Sequence, residues 1–223
     1  MRGVSALDFA MGSKNKKAPT NGRRGFLYGD KLGESYYVPL RMRKLGMDEL
    51  GRLSVDEFRQ SEKMPVVVVL DNIRSMHNVG SVFRTADAFL IQGVYLCGYT
   101  PQPPHRDIHK TALGATETVD WKYFQDVREA LQELKGEGYK IFAVEQVEKS
   151  VPLQEFSAQH SGKTVVVFGN EVSGVGEGAL ALCDGSVEIP QWGMKHSLNI
   201  SIAAGIVLWE LARSYRYTDI NHT

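Results

Sequence analysis

Cysteine is scarce: Cys97 and Cys183 are the only two. Two thiols so far apart exclude a four-cysteine zinc site and a multi-bridge disulfide framework. Free cysteines of this kind read as small apolar core residues in a reducing compartment. Long apolar runs are missing too. The longest, Val66–Leu70 and Ile202–Leu208, fall far short of the about 20 residues a membrane helix needs. The N-terminus has no apolar core of the signal-peptide kind, so a soluble, cytoplasmic protein is expected. Neither charge is in excess: 26 Lys and Arg balance 26 Asp and Glu. Any nucleic-acid surface must therefore be gathered locally. No Gly-x-Ser-x-Gly elbow marks an acyl-transfer nucleophile. His105 and His109 stand four apart, but Pro103 and Pro104 argue against a helix there and no third ligand is in view, so no metal is expected.

What is present is enough apolar material, 43% of 223 residues, for one packed domain with a small appendage. Residues 1–25 hold Lys14, Lys16, Lys17, Arg23 and Arg24 among Gly, Ser, Asn and Pro. They read as a flexible basic arm, either a solvated tail or an electrostatic RNA tether. Residues 26–63 read as a helical N-terminal extension. Ser54-Val-Asp-Glu57 has the spacing of a capping box, and Leu50, Leu53, Val55 and Phe58 supply an apolar stripe. From 64 to 216 short β-branched runs alternate with helical periodicity: strands at Val66–Leu70, Val94–Cys97, Glu117–Trp121, Lys140–Glu145, Val165–Phe168 and Val187–Ile189. Helices are expected after Asn78, over Asp126–Lys135, at Gly176–Cys183 and over Ser197–Ser214. The last of these is apolar nearly all round (Leu198, Ile202, Ile206, Leu208, Trp209) and is expected to be buried on several sides. Residues 217–223 form a tail. Alternating units of this kind imply an α/β fold with a mostly parallel sheet and helices on both faces.

Ligands of such sheets sit beyond the carboxyl ends of the strands, and three chemically loaded segments each follow a strand. In the first, Asn72, Arg74, Ser75, His77 and Asn78 precede a helix that carries Gly80 and Arg84. Asn78 is placed to cap that helix, and the helix N-terminus is a natural anion site. Arg84 faces away from Val79, Val82 and Phe83, and a guanidinium fork suits phosphate oxygens. In the second, Phe168, Gly169, Asn170, Glu171 and Gly174 follow a buried strand. Glycine there lets a ligand approach backbone. P-loop spacing is present, but Val175 stands where lysine is required, and the dinucleotide fingerprint is absent. Glu171 can be a base, an orienting acceptor or an acidic residue near a helix start. In the third, Ile189, Pro190, Gly193, Ser197, Leu198, Asn199 and Ser201 run from strand to loop to helix. Ser197 reads as an N-cap, and Asn199 as a buried amide in need of partners.

Taken in order, these segments resemble the three motifs of the SpoU (TrmH-like) family of RNA methyltransferases. Asn78, Gly80 and Arg84 match the first. Phe168, Gly169, Glu171 and Gly174 match the second, and Ile189, Pro190, Gly193, Ser197, Leu198, Asn199 and Ser201 the third. Gln191 departs from the methionine many members carry. The resemblance covers about 66–214 and implies a C-terminal trefoil knot, a homodimer and an RNA partner, tRNA or rRNA. The implied cofactor is S-adenosyl-L-methionine, held by Phe168, Gly169, Ile189, Gly193 and Leu198. The implied reaction is methyl transfer to a ribose 2′-hydroxyl, with Arg84, Asn78, Glu171, Ser197 and Asn199 forming the catalytic set. Methylation of an RNA base, and a non-catalytic RNA-binding factor with the same fold, are the alternatives.

Overall fold

The computed structural model describes residues 25–29, 35–39, 43–46, 48–157, 162–195 and 197–217. The basic arm, apart from Gly25, and the C-terminal tail, apart from Tyr217, lie outside the described residues. The chain forms two units, 1–52 and 53–223.

In the first unit β1 (Gly25–Gly29) pairs antiparallel with β2 (Ser35–Pro39), Leu27 opposite Tyr37. A 3-10 turn follows at Asp48–Leu50. The helical reading of 26–63 is thereby corrected. Gly-Phe-Leu-Tyr-Gly and Ser-Tyr-Tyr-Val-Pro are aromatic and β-branched runs bounded by Gly and Pro, a composition that favours a pleated strand over a helix. Arg43 pairs with Glu49 at 2.6 Å, and the Gly46 amide donates to the same carboxylate at 2.7 Å, which closes the turn.

The second unit opens with α1 (Val55–Gln60). Its capping box is present as expected: the Glu57 amide donates to Ser54 Oγ and the Ser54 amide to Glu57 Oε2. Of the predicted stripe only Phe58 is buried. The helix is tied down by Arg59, which donates to the Glu117 carbonyl at 3.0 Å.

Seven strands then form one sheet: β3 (Met64–Asp71), β4 (Ile91–Cys97), β5 (Trp121–Phe124), β6 (Lys140–Val144), β7 (Val151–Pro152), β8 (Thr164–Phe168) and β9 (Gly185–Glu188). Their order is β5-β4-β3-β8-β6-β9-β7, and every pairing is parallel. Residues of β3 alternate between two cores, as the two-residue repeat of a strand requires. Val66, Val68 and Leu70 face α2 (Met76–Ala88), α3 (Arg106–Ala112), α6 (Leu153–Ser157) and α8 (Ile200–Tyr217). Val67 and Val69 face α5 (Val127–Gly136) and α7 (Glu177–Leu180). Both faces are covered, which explains why the strands read as unbroken apolar runs.

Several boundaries move. Glu117–Trp121 is not a strand: α4 (Ala115–Thr118) occupies its start, and β5 begins at Trp121. The prolines do not prevent a helix after them, because His105 opens α3 by accepting the Asp107 amide on Nδ1. Helix α8 is not buried all round. Ala204, Val207, Leu208 and Leu211 are buried, whereas Ile202 is 56% and Trp209 51% exposed. Gly80 has a packing role. A Cβ there would stand 2.2 Å from Thr111 Oγ1 and 2.3 Å from the Ile108 carbonyl, so its absence lets α2 and α3 meet closely. Among the described residues no helix is long and apolar enough to cross a membrane.

Candidate active site

Because all seven strands are parallel, the segments after β3, β6, β8 and β9 emerge at one edge of the sheet. The loop after β8 is the tightest. Asn170 and Gly174 bridge each other, and a Cβ on Gly169 would lie 2.1 Å from the Gly174 carbonyl carbon. The returning loop by itself requires glycine at 169. Gly174 adopts φ +67°, which favours glycine, and a Cβ there would meet Glu145 Oε2 at 2.2 Å. Gly193 is different: nothing stands within 4 Å of where its Cβ would be, so no internal packing demands glycine.

Two residues that sequence reasoning passed over brace this loop. Asn170 is buried. Its Nδ2 donates to the Asn72 carbonyl and to Tyr99 Oη, both at 2.8 Å, and its Oδ1 accepts from the Val172 and Ser173 amides. Glu145, just after β6, accepts from the Val175 amide at 3.0 Å. The signal for Asn170 was its own composition: an amide side chain directly after a strand-end glycine, where loop backbone groups need partners.

Glu171 projects to the start of α2. Its carboxylate accepts from the Arg74 amide at 3.1 Å, the Ser75 amide at 3.3 Å and Asn78 Nδ2 at 3.2 Å. Partial burial pushes its pKa up, but the backbone bonds from Arg74 and Ser75 and the Asn78 amide bond outweigh burial and hold it below the usual carboxylate range. The cap of α2 is Ser75, whose Oγ accepts the Asn78 amide, not Asn78 as the sequence reading had it. Asn78 lies within the first turn, so its side chain is free to bond elsewhere. It donates to Glu171 and, through Oδ1, accepts from Asn199 Nδ2 at 3.2 Å. Asn199 in turn accepts from the Ser201 amide at 2.9 Å and Ser201 Oγ at 2.6 Å, while the Ile202 and Ala203 amides donate to its carbonyl. Asn199 is thus the cap of α8. Ser197, expected in that place, lies two residues earlier, exposed and without a hydrogen bond among the described residues. Asn199 is also exposed rather than buried.

The chain Ser201–Asn199–Asn78–Glu171 therefore stitches all three sequence segments together. It also fills the anion position at the N-terminus of α2 with the protein's own carboxylate. Arg84 lies two turns further along α2, exposed, with no ion pair or hydrogen bond among the described residues. It is available to an external anion.

At the ends of β6 and β9 is a cavity of about 310 Å³. Ile189 and Gly193 of the expected cofactor set line it, with Gln146, Glu188, Gln191 and Lys195. Phe168 is instead buried at the end of β8, and Leu198 lies part-exposed at the approach to α8. Its size falls at the small end of ligand pockets, about 300–1,000 Å³. The polar lining, Gln146, Glu188, Gln191 and Lys195 beside Ile189, Pro190 and Gly193, fits the charged and hydrogen-bonding groups of S-adenosylmethionine. Burial and nearby Asp71 push the Cys97 thiol up to about 12, and burial with Asp184 pushes Cys183 up to about 11, which disfavours the thiolate form at both.

A parallel sheet with its loops knitted together at the carboxyl edge defines the class of α/β proteins that bind ligands at that edge. The chain belongs to the SpoU rRNA Methylase family, whose model matches residues 65–209. It is 32% identical over 165 residues to a tRNA (guanosine(18)-2′-O)-methyltransferase of Thermus thermophilus, covering 74% of this chain and 83% of that one. The Escherichia coli enzyme of the same name is 31% identical over 148 residues, covering 66% of this chain and 63% of its own. Among solved structures, the Aquifex aeolicus TrmH/SpoU tRNA modifying enzyme superposes with TM-score 0.67 at 27% identity, covering 74% and 83% of the two chains. An AdoMet-bound rRNA methyltransferase from Sinorhizobium meliloti gives 0.63 at 28% identity, covering 74% of this chain and 62% of that one.

Proposed function

We propose that the protein transfers a methyl group from S-adenosyl-L-methionine to a ribose 2′-hydroxyl of RNA in the cytoplasm, with tRNA guanosine 18 as the target. The observation that carries this reading is the hydrogen-bonded chain Ser201–Asn199–Asn78–Glu171, which joins all three family motifs into one site beside an unpaired Arg84. The relatives whose names specify guanosine 18 of tRNA support the substrate. When bound, S-adenosyl-L-methionine would supply an electrophilic methyl on its sulfonium, with S-adenosylhomocysteine as the leaving group and water as the acceptor of the 2′-hydroxyl proton. Ile189, Gly193 and the loop from Gly169 would hold the cofactor, with Leu198 at the approach and Phe168 supporting that loop from the core. Arg84 binds the phosphate beside the target ribose and offsets charge developing on the 2′-oxygen. A guanidinium stays protonated, with a pKa above about 12, so it acts as a cation and not as the proton acceptor. Asn78, Glu171 and Asn199 hold the loops in register, and Ser197 lines the RNA side.

The reading includes a homodimer joined through the exposed Ile202–Ile206–Trp209 stripe of α8, and a threaded C-terminal path. Supporting the threading, β8 enters between β3 and β6, and β9 between β6 and β7.

The test is incubation with methyl-labelled S-adenosylmethionine and unmodified total RNA, followed by sizing and digestion to nucleosides. Label is expected in 2′-O-methylguanosine from the tRNA fraction. Arg84→Ala should lower turnover by about 10²–10³-fold while cofactor binding, read by calorimetry, stays intact. Label confined to ribosomal RNA overturns the tRNA reading, and label in a base overturns the ribose reading. Full turnover by Arg84→Ala removes the role given to that residue.

A further inference from the structure

Trp192 and Met194 flank Gly193 in the loop between β9 and α8, and they are 93% and 84% exposed. Their neighbours Ile189, Gln191, Gly193 and Lys195 line the cavity, so the loop that shapes the cofactor site holds its two largest apolar side chains out in water. An indole buries about 150–250 Å² when it packs, which makes such exposure costly unless something covers it. Trp192 has no ring contact or hydrogen bond among the described residues, unlike Trp209, which meets Phe89 at 5.9 Å. Lys195, exposed in the same loop, forms no ion pair among the described residues. At the far end of the loop Asn199 joins the hydrogen-bonded chain of the site.

A ribose 2′-hydroxyl reaches an in-line position over a methyl donor only when its nucleotide leaves the helical stack, and the freed base then needs a new surface. Single-stranded and splayed RNA bases find it on aromatic rings, with lysine or arginine on the neighbouring phosphates. We propose that Trp192 is the stacking platform for the unstacked base at the methylation site. Met194 packs against that base's edge, and Lys195 faces a flanking phosphate. This assignment rests on the RNA ribose-methylation reading above.

The full chain, Trp192→Ala and Trp192→Phe are compared for methyl transfer to unmodified total RNA, cofactor affinity by calorimetry and sedimentation. Trp192→Ala is expected to raise the KM for RNA about 5- to 100-fold, the range that loss of one base–aromatic stack confers. Cofactor affinity and sedimentation stay unchanged, and Trp192→Phe recovers most of the loss because it keeps a ring. An unchanged KM in Trp192→Ala overturns the proposal. So does a shift of that variant to a smaller sedimenting species, which would make Trp192 a subunit contact. If the parent enzyme labels RNA and Trp192→Ala labels it equally well, only this assignment fails. If the parent transfers methyl to no RNA, the ribose-methylation reading fails and this one with it.

Discussion

Glu171 does the work of a ligand. At the N-terminus of α2, where exposed amides would attract a phosphate, its carboxylate takes the Arg74 and Ser75 amides and the Asn78 side chain. External anions are thereby directed to Arg84. The depressed pKa has a consequence for stability. A carboxyl whose folded pKa lies below its unfolded value stabilises the fold fully above the unfolded value, about 4.3, and that contribution is lost as pH falls towards the folded pKa. Glu171→Gln should therefore flatten the acid side of the stability profile. Thermal unfolding of the parent is expected to drop more steeply than that of the variant between about pH 5 and pH 3, and parallel curves would show that the carboxylate bonds do not persist in solution. At neutral pH the variant should also lose turnover more than cofactor affinity, since it loosens the link between the loop after β8 and α2.

Helix α2 meets α3 through Gly80, where the missing Cβ makes room for Thr111 Oγ1 and the Ile108 carbonyl. Gly80→Ala drives a methyl into the Thr111 hydroxyl and the Ile108 carbonyl, and overpacking of this kind costs about 1–3 kcal/mol. A denaturant midpoint lowered accordingly, with the helix content of the folded state unchanged, is the expected result; an unshifted midpoint would mean that the two helices separate freely. Elements of this unit were largely legible in the sequence. Strands β3, β6 and β8 announce themselves as short β-branched runs, and the cap at Ser54 follows from local chemistry alone. Three matters were not legible. The strands β1 and β2 were hidden by the pull of the neighbouring capping box towards a helix. Ser75 and Asn199 took the caps expected of Asn78 and Ser197, because which of several polar residues caps depends on where the backbone turns. The partners of Asn170 and Glu145 lie up to 98 residues away, so no local pattern can reveal them.

At the scale of the whole molecule, α8 sends Ala204, Val207 and Leu208 into the core and leaves Ile202, Ile206 and Trp209 outside. The apolar periodicity of that helix does not distinguish a face buried within the chain from one awaiting a second copy. Ile206→Asp is expected to leave the fold intact by circular dichroism and to convert a dimer to a monomer in sedimentation, with activity lost alongside. A variant that remains dimeric would put the subunit contact elsewhere.

The strand order also governs when this protein can become itself. Strand β6 has only β8 and β9 as neighbours, and β7 has only β9. Until residues 164–188 are made, the sheet β5-β4-β3 is open at β3, and β6 and β7 lack every strand they pair with. Pairing completes only when residues 164–188 arrive to fill the gaps, and such late, distant closure is slow and exposes sticky edges in the meantime. The polar chain of the site needs Asn199 and so appears last of all. A chain released short of Asn199 lacks the bond that ties α8 to Asn78, so it is expected to need a chaperone or meet a protease before it can act.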